Sequence, residues 1–294
     1  MTSLQSTPEV TVVIPHYADI ARLDRCLAAV VSQECSFSFE VVVADNNSPC
    51  GQDAVAVAIA NRAHLVLATK PGAGPARNAG VQAARGRYLA FTDSDCIPEP
   101  GWLAAGIAAL TKHDFVGGAM TVLVGNHKRL SGAEAFERIF AFNNRRYVEK
   151  EGFTVTANLF CSKELFERVG GFRSDLSEDL EWCQRARASG FQIGYAENAV
   201  VGHPARANWS ELLHKWRRLN AEMFAVYKLK PNGRMKWALR SLLLPGSILV
   251  DIPKVLKSRS ITGAYSRIMA ISTLTRLRLW RMINCWNLLL KGRN

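Results

Sequence analysis

Two carboxylates one residue apart, Asp93 and Asp95, close the stretch Arg-Tyr-Leu-Ala-Phe-Thr-Asp-Ser-Asp-Cys at residues 87–96. The apolar residues before them read as a buried strand, so Asp93, Ser94 and Asp95 fall at its carboxyl end, where open α/β sheets bind their ligands. Hard oxygen donors in that place suit a magnesium or manganese ion whose shell is completed by a substrate diphosphate. The same triplet can equally be a solvated turn, and its spacing does not decide between the two.

Other strand ends carry chemistry of their own. Val12–Ile14 runs into Pro15-His16-Tyr17, and the tyrosine ring can stack on a nucleobase or simply cap the sheet edge. Asp45, after the β-branched run 41–44, can accept a hydrogen bond from a base imide or nucleate the Asp-Asn-Asn-Ser turn. Residues 70–80, Lys-Pro-Gly-Ala-Gly-Pro-Ala-Arg-Asn-Ala-Gly, form a glycine loop opening a helix. Its backbone N–H groups and Arg77 suit a phosphate, but the spacing matches neither the P-loop nor the dinucleotide fingerprint, and a structural turn explains it as well. His203, after an apolar run, is a metal ligand or a structural histidine.

The elements that must position these residues alternate in the first half of the chain. Strands are expected at 10–14, 41–44, 65–68, 88–91 and 115–124, with helices at 19–32, 75–85 and 100–111. That rhythm implies an α/β fold with a mostly parallel sheet covered on both faces. Further helices are expected at 131–149, 162–169 and 179–189, and strand-like pieces at 191–195 and 198–202. Beyond Trp209 the pattern is helical. The division expected is a catalytic domain over 1–208, with a nucleotide-binding half to about 125 and an acceptor half over 126–208, followed by a basic helical appendage over 209–294.

Charge supports that division. Residues 206–294 hold 18 Lys and Arg against 3 Asp and Glu, a formal +15 that leaves the remainder at −3. An anionic partner is therefore expected for the tail and not for the body. The seven cysteines are scattered with no Cys-x-x-Cys spacing, which argues against a zinc site or a disulfide framework and for a reducing compartment. Neither an apolar signal core over residues 1–10 nor a run of about 18 apolar residues occurs.

Taken together, Pro15/Tyr17, Asp45, Gly-Pro-Ala-Arg-Asn at 74–78 and Asp93-Ser94-Asp95 occur in the order and spacing of family 2 glycosyltransferases with the GT-A fold. Downstream, residues 158–172 resemble the family's acceptor-side segment, and Ser177-Glu178-Asp179-Leu-Glu-Trp resembles its Glu-Asp motif. The resemblance covers roughly residues 9–205. It implies a nucleotide-sugar donor, usually a UDP-sugar, and transfer with inversion. By position it places Pro15, Tyr17 and Asp45 at the uracil, Arg77 and Asn78 near the ribose or diphosphate, Asp93 and Ser94 at the ribose or metal-bound water, and Asp95 on a Mg2+ or Mn2+ ion, with His203 a further candidate ligand. Asp179 would be the general base for the acceptor hydroxyl and Glu178 its support; as simple helix-start carboxylates both would favour the helix dipole.

Gln184-Arg185-Ala186-Arg187 departs from the Gln-x-x-Arg-Trp motif of processive synthases, so a single sugar is expected per encounter. Five tryptophans among the tail's basic residues, with the short apolar stretch 239–252, fit the surface of an anionic leaflet. The expectation is a cytoplasmic protein, peripheral at the inner face of the cytoplasmic membrane. Its acceptor would be a glycan or a polyprenyl-diphosphate-linked sugar, as in bacterial polysaccharide assembly. A helical cap with solvated charges is the plainer reading of the tail. Of two rival functions, nucleic-acid binding through the tail leaves Asp93, Asp95 and Glu178-Asp179 without a task, and nucleotidyl transfer would release pyrophosphate where sugar transfer releases a nucleoside diphosphate; no nucleic acid is expected as partner.

Overall fold

Strand β1 (Val10–His16) is buried along its whole length in the computed structural model, which describes residues 7–173 and 177–291. An uninterrupted apolar run of this kind belongs to a parallel strand covered on both faces. It pairs in parallel with β2 (Phe39–Asp45) and β4 (Tyr88–Phe91), setting Ile14 opposite Val43 and Val13 opposite Phe91. β3 (His64–Leu67) extends the parallel set beyond β2. Helix α1 (Ile20–Val31) covers this part by burying Leu23, Cys26, Leu27 and Val30. α2 (Gln52–Ile59), which the sequence pattern did not reveal, and α3 (Ala73–Ala83) provide the other crossovers. α3 lies close on the sheet because residue 80 is glycine: a Cβ there would stand 2.6 Å from Val13 Cγ1.

Among the described residues, eight strands run in the order β3-β2-β1-β4-β7-β6-β8-β5. Past β4 the sense of pairing changes. β7 (Leu159–Ser162) is antiparallel to β4 and to β6 (Phe115–Leu123), and β5 (Ile97–Pro98) is antiparallel to β8 (Ile193–Pro204). The sheet is therefore mixed where a mostly parallel one was expected. The two strand pieces expected over 191–202 are one continuous strand, β8.

Helices α4 (Trp102–Ala109), α5 (Gly132–Phe140), α6 (Asn144–Arg146), α7 (Lys163–Val169) and α8 (Glu178–Ala188) complete the first two-thirds of the chain. The single helix expected over 131–149 breaks after α5, because Asn143 leaves the helical conformation and its side chain caps α6 instead.

The chain forms two compact units, Met1–Thr121 with Asn143–His203, and Val122–Phe142 with Pro204–Asn294. The first holds the sheet. The second holds α5 with α9 (Trp209–Lys228), α10 (Gly233–Leu243), α11 (Ser247–Lys257) and α12 (Ala264–Lys291). Its core joins Ala133 and Phe136 of α5 to Leu212, Val255, Ala270, Leu274 and Leu277. A segment that the sequence pattern leaves with residues 1–208 thus shares its core with the C-terminal helices. No helix of the described residues is long and apolar enough to cross a membrane. The apolar stretch 239–252 turns at Leu244–Gly246, between α10 and α11.

Candidate active site

Three strand or helix ends bring the expected residues into three clusters within the first unit. The first is built on Arg77, in the opening turns of α3. Its guanidinium is 3% exposed and forks between two acids: Nη2 donates to Asp93 Oδ1 at 2.5 Å and Nη1 to Glu178 Oε1 at 2.7 Å. Burial works against the cation, but Asp93, Glu178 and Asp179 outweigh it, so its pKa is raised. Asp179, beside Glu178 at the start of α8, accepts a hydrogen bond from Thr156 Oγ1 at 2.9 Å. Burial pushes the Asp179 carboxyl up to about 6, Arg77 pulls it down, and Glu178 and Asp93 push it up again. The residue stays partly exposed. Arg77 is thus a counter-ion locking the acids together, not the exposed phosphate-binding cation its loop suggested.

The second cluster surrounds Asp95. Asp93, Ser94 and Asp95 form a half-buried turn closed by the Cys96 N–H donating to the Asp93 carbonyl at 3.0 Å. From that turn Asp95 meets a different set of partners: its Oδ2 lies 3.7 Å from His203 Nε2 and 3.8 Å from Arg22 Nη1. One ligand atom each from Asp95, Cys96 and His203 lies within 4.8 Å of the others. Burial, with Asp93 and Asp95 nearby, holds the Cys96 thiol well above its ordinary pKa, so it remains protonated. Cys183, near Asp179, is likewise pushed to about 12 by burial, which leaves neither thiol a nucleophile at neutral pH.

The third cluster lies at the ends of β1 and β2. Asp45 was expected to meet a base; it is fully buried and engaged within the protein. Its Oδ1 contacts His16 Nδ1 at 2.9 Å and accepts from Ser48 Oγ at 2.5 Å, while Oδ2 accepts from the Ser48 N–H at 3.0 Å. These bonds outweigh the cost of burial and hold its pKa below the usual carboxylate value. Pro15 is buried in β1, whereas the Tyr17 ring is 59% exposed, so the tyrosine is the part of this cluster open to a ligand.

Two asparagines hold the surrounding loops. Asn46 Nδ2 donates to the Lys70 carbonyl at 2.7 Å and its Oδ1 accepts from the Gly72 N–H at 2.8 Å, pinning the glycine loop to the end of β2. Asn78, expected near the ribose, spends both polar atoms on the Phe172 backbone, each at 2.8 Å, and so fixes the loop leading to α8. Arg185 grips the same loop through the Gly171 carbonyl at 2.8 Å and pairs with Glu181. Sequence reasoning passed over His16, Asn46, Ser48 and Thr156. The Asp-Asn-Asn-Ser turn was a fair pointer to Asn46 and Ser48; nothing in sequence pointed to Thr156. A cleft of about 750 Å³ lies elsewhere on this unit, beyond the far end of α8, and includes none of the expected residues.

The fold of this chain is shared with known proteins. The mannosyltransferase PcManGT of Pyrobaculum calidifontis, solved in complex with GDP-Man and Mn2+, superposes with a TM-score of 0.59 at 19% identity, covering 99% of this chain and 89% of that one. Staphylococcus aureus TarS gives 0.52 at 15% identity, over 94% of this chain and 53% of its own. In sequence, the glycosyltransferase AglE of Haloferax volcanii is 34% identical over 259 residues, 84% of this chain and 83% of the relative. The pre-mycofactocin glycosyltransferase of Mycobacterium tuberculosis is 27% identical over 67% of this chain and 43% of its own length. Residues 11–170 match the family Glycosyl transferase family 2. With that match spanning more than half of its length, and the GT-A-type sheet carrying the acids, this chain belongs to glycosyl transferase family 2 and is a glycosyltransferase.

Proposed function

We propose that the enzyme transfers one sugar at a time, with inversion, from a nucleoside diphosphate donor to a hydroxyl of a glycan or polyprenyl-diphosphate-linked acceptor, with Asp179 as general base. The observation that carries this reading is the state of Asp179: a partly exposed carboxyl pushed up to about 6, close to the working range of a base at neutral pH. Asp179 takes the proton of the acceptor hydroxyl as that oxygen attacks the anomeric carbon. Thr156 holds the carboxyl in register, and Arg77 holds Glu178 and Asp93 in place beside it. Tyr17 offers an exposed ring on which the donor base stacks.

Asp95 and His203 would hold a divalent ion: a carboxylate and an imidazole offer ligand atoms within 4.8 Å of each other. Asp93 is committed to Arg77, and the protonated Cys96 is a poor ligand for a hard ion, so neither belongs to that set. When bound, the ion supplies Lewis-acid stabilisation of the departing diphosphate.

The second unit supports docking on an anionic membrane surface. α10 and α11 expose Leu239, Leu242, Leu243, Leu249, Val250 and Leu256, all of them more than half exposed, among basic side chains. Apolar residues ringed by cations suit an interface between lipid tails and anionic headgroups. Since α5 shares its core with α12, truncation at 208 would strip α5 of its packing; polar substitution of Leu242, Leu243 and Leu249 is the cleaner test. Such a variant is expected to lose flotation with anionic vesicles while turning over soluble acceptors normally; undiminished flotation rejects the docking surface.

The reaction itself is tested by a screen of UDP-sugars and, since PcManGT was solved with GDP-Man, of GDP-sugars, with Mg2+ or Mn2+ and then with chelator. Metal-dependent release of the nucleoside diphosphate is the expected result. Release of pyrophosphate would identify nucleotidyl transfer, and retention of the anomeric configuration in the product would remove Asp179 as base.

A further inference from the structure

In the second unit, α9, α10 and α12 enclose a positive charge that the described residues do not neutralise. Arg281 of α12 is 4% exposed and stacks on the Trp216 ring at 3.9 Å from its centroid. Its Nε donates to Asn220 Oδ1 at 3.3 Å, and Asn220, itself fully buried, is held by its other end to Asn284 Oδ1 at 3.0 Å. Among the described residues, Nη1 and Nη2 of Arg281 have no acceptor and the side chain has no carboxylate partner. Stacking on an indole offsets part of the desolvation of the guanidinium and leaves its two terminal nitrogens, which still reach the surface, open to donate to a ligand.

The neighbours add to the excess. Arg240 of α10 touches Tyr227 and Met223 and lies over the Tyr227 and Trp237 rings, again with no carboxylate among the described residues. The acids of α9 and α11 are engaged elsewhere, Glu211 with the Ala207 N–H and the Asn208 side chain. Asp251 is divided between Lys254 at 2.7 Å and Arg278 at 2.8 Å, and Glu222 lies 3.7 Å from Arg218. What acts on Arg281 is burial first, then the like charges of Arg278 and Arg240, and together they depress its pKa to about 9. Arg281 reaches Asn220 and Arg240 reaches Met223, three residues apart and so on one face of α9, which sets the two cations in one neighbourhood.

We propose that Arg281 and Arg240 form a binding site for a phosphate group. A buried guanidinium without a counter-ion is costly, and a tetrahedral oxyanion is the ligand whose geometry the arginine fork meets with paired hydrogen bonds. The phosphate has two possible sources, a lipid headgroup or a free ion. The site itself stands on the second unit; only the lipid source rests on the membrane-docking reading given above.

The test uses the full chain in the presence of chelator, which removes metal-dependent binding by the first unit. Trp216 and Trp237 fluorescence and thermal melting are followed against inorganic phosphate, against phosphatidylcholine vesicles doped with phosphatidate, and against vesicles doped with phosphatidylglycerol at equal surface charge. A saturable response to inorganic phosphate supports the site with a free ion as ligand. A saturable response to phosphatidate exceeding that to phosphatidylglycerol supports it with a lipid monoester as ligand. In either case Arg281→Met with Arg240→Gln is expected to weaken the response about tenfold or more. Arg240→Gln alone, at a half-exposed position, gives the same answer if the double variant does not fold. No saturable response to any probe, or equal binding by a folded variant, overturns the proposal. A chain that binds phosphate but transfers no sugar would leave this site standing and reject the catalytic reading instead.

Discussion

Asp179→Asn separates the catalytic cost of this carboxylate from its structural cost, because the two have opposite signs. Asparagine keeps an oxygen to accept from Thr156, so the local hydrogen bond survives. In the native state the Asp179 pKa is raised from 3.8 to about 6, first by burial and then by Glu178 and Asp93. A raised carboxyl means the folded protein holds the proton more tightly than the unfolded chain. The associated stability is present below about pH 4 and is lost as pH climbs through 6. Above that, holding the carboxylate ionised in this setting costs roughly 1–3 kcal/mol, the free energy of raising its pKa so far, less what solvent screens at a partly exposed group. Asp179→Asn should therefore melt higher than wild type at pH 8, with a gap that closes on acidification toward pH 4. At the same time it should lower kcat about 10²–10⁴-fold, the range for loss of a general base. The wild-type rate should itself fall about tenfold between pH 7 and pH 5 as the base protonates. Melting curves across pH, beside turnover measured as nucleoside diphosphate release, check both halves. Wild-type turnover in the variant, or a melting gap indifferent to pH, would refute the reasoning.

Three further outcomes follow from the same geometry. Arg77→Lys replaces a fork with a single ammonium that cannot hold Asp93 and Glu178 together; it should cost about 3 kcal/mol in denaturant melts and shift the acid limb of the pH–rate profile upward. Asp95→Asn should abolish Mn2+ binding read by electron paramagnetic resonance while leaving the melting temperature near wild type, since its contacts at 3.7 and 3.8 Å to His203 and Arg22 are loose. Asn78→Ala leaves the Phe172 N–H and carbonyl without their partner, a loss of about 1–3 kcal/mol; it should raise the acceptor KM more than the donor KM, because the loop it frees leads to α8 and not to Tyr17.

The parallel strands were legible because local pattern decides them: β1 and β2 are β-branched and apolar through their centres, and their burial follows from that. The helix over Gln52–Ile59 was not, since Gln-Asp-Ala-Val-Ala-Val-Ala-Ile shows little amphipathic contrast and buries two residues, Val55 and Ile59. The break at Asn143 was equally hidden: the capping bond to the Arg146 N–H decides it, and periodicity does not report capping. In the site, residue types were legible and partners were not. Arg77 looked like a phosphate-binding cation because it follows a glycine loop; its two acids arrive from 16 and 101 residues away, at distances no local pattern encodes. The same holds for Asp45, whose His16 and Ser48 partners turn an expected ligand contact into an anchor.

Asp93 and Asp95 show where spacing stops informing. They share a residue type, a turn and partial exposure, and nothing in the triplet assigns them different tasks. The fold separates them through their neighbours. Asp93 faces the buried guanidinium of α3 and, through it, Glu178 of α8; Asp95 faces His203 at the end of β8 and Arg22 of α1. Because β8 lies beyond β6 and β7 from β4, the imidazole reaches Asp95 from a strand with no place in the local motif. One acid is thereby paired and fixed next to Asp179, while the other keeps a loosely held oxygen, as the ion site proposed above requires. A pair in which both acids were locked by arginine would have no oxygen to offer, and a pair in which both stood free would repel the donor's diphosphate before an ion could screen it. The division of labour between the two carboxylates is therefore a property of β8, α3 and α8 rather than of the triplet itself.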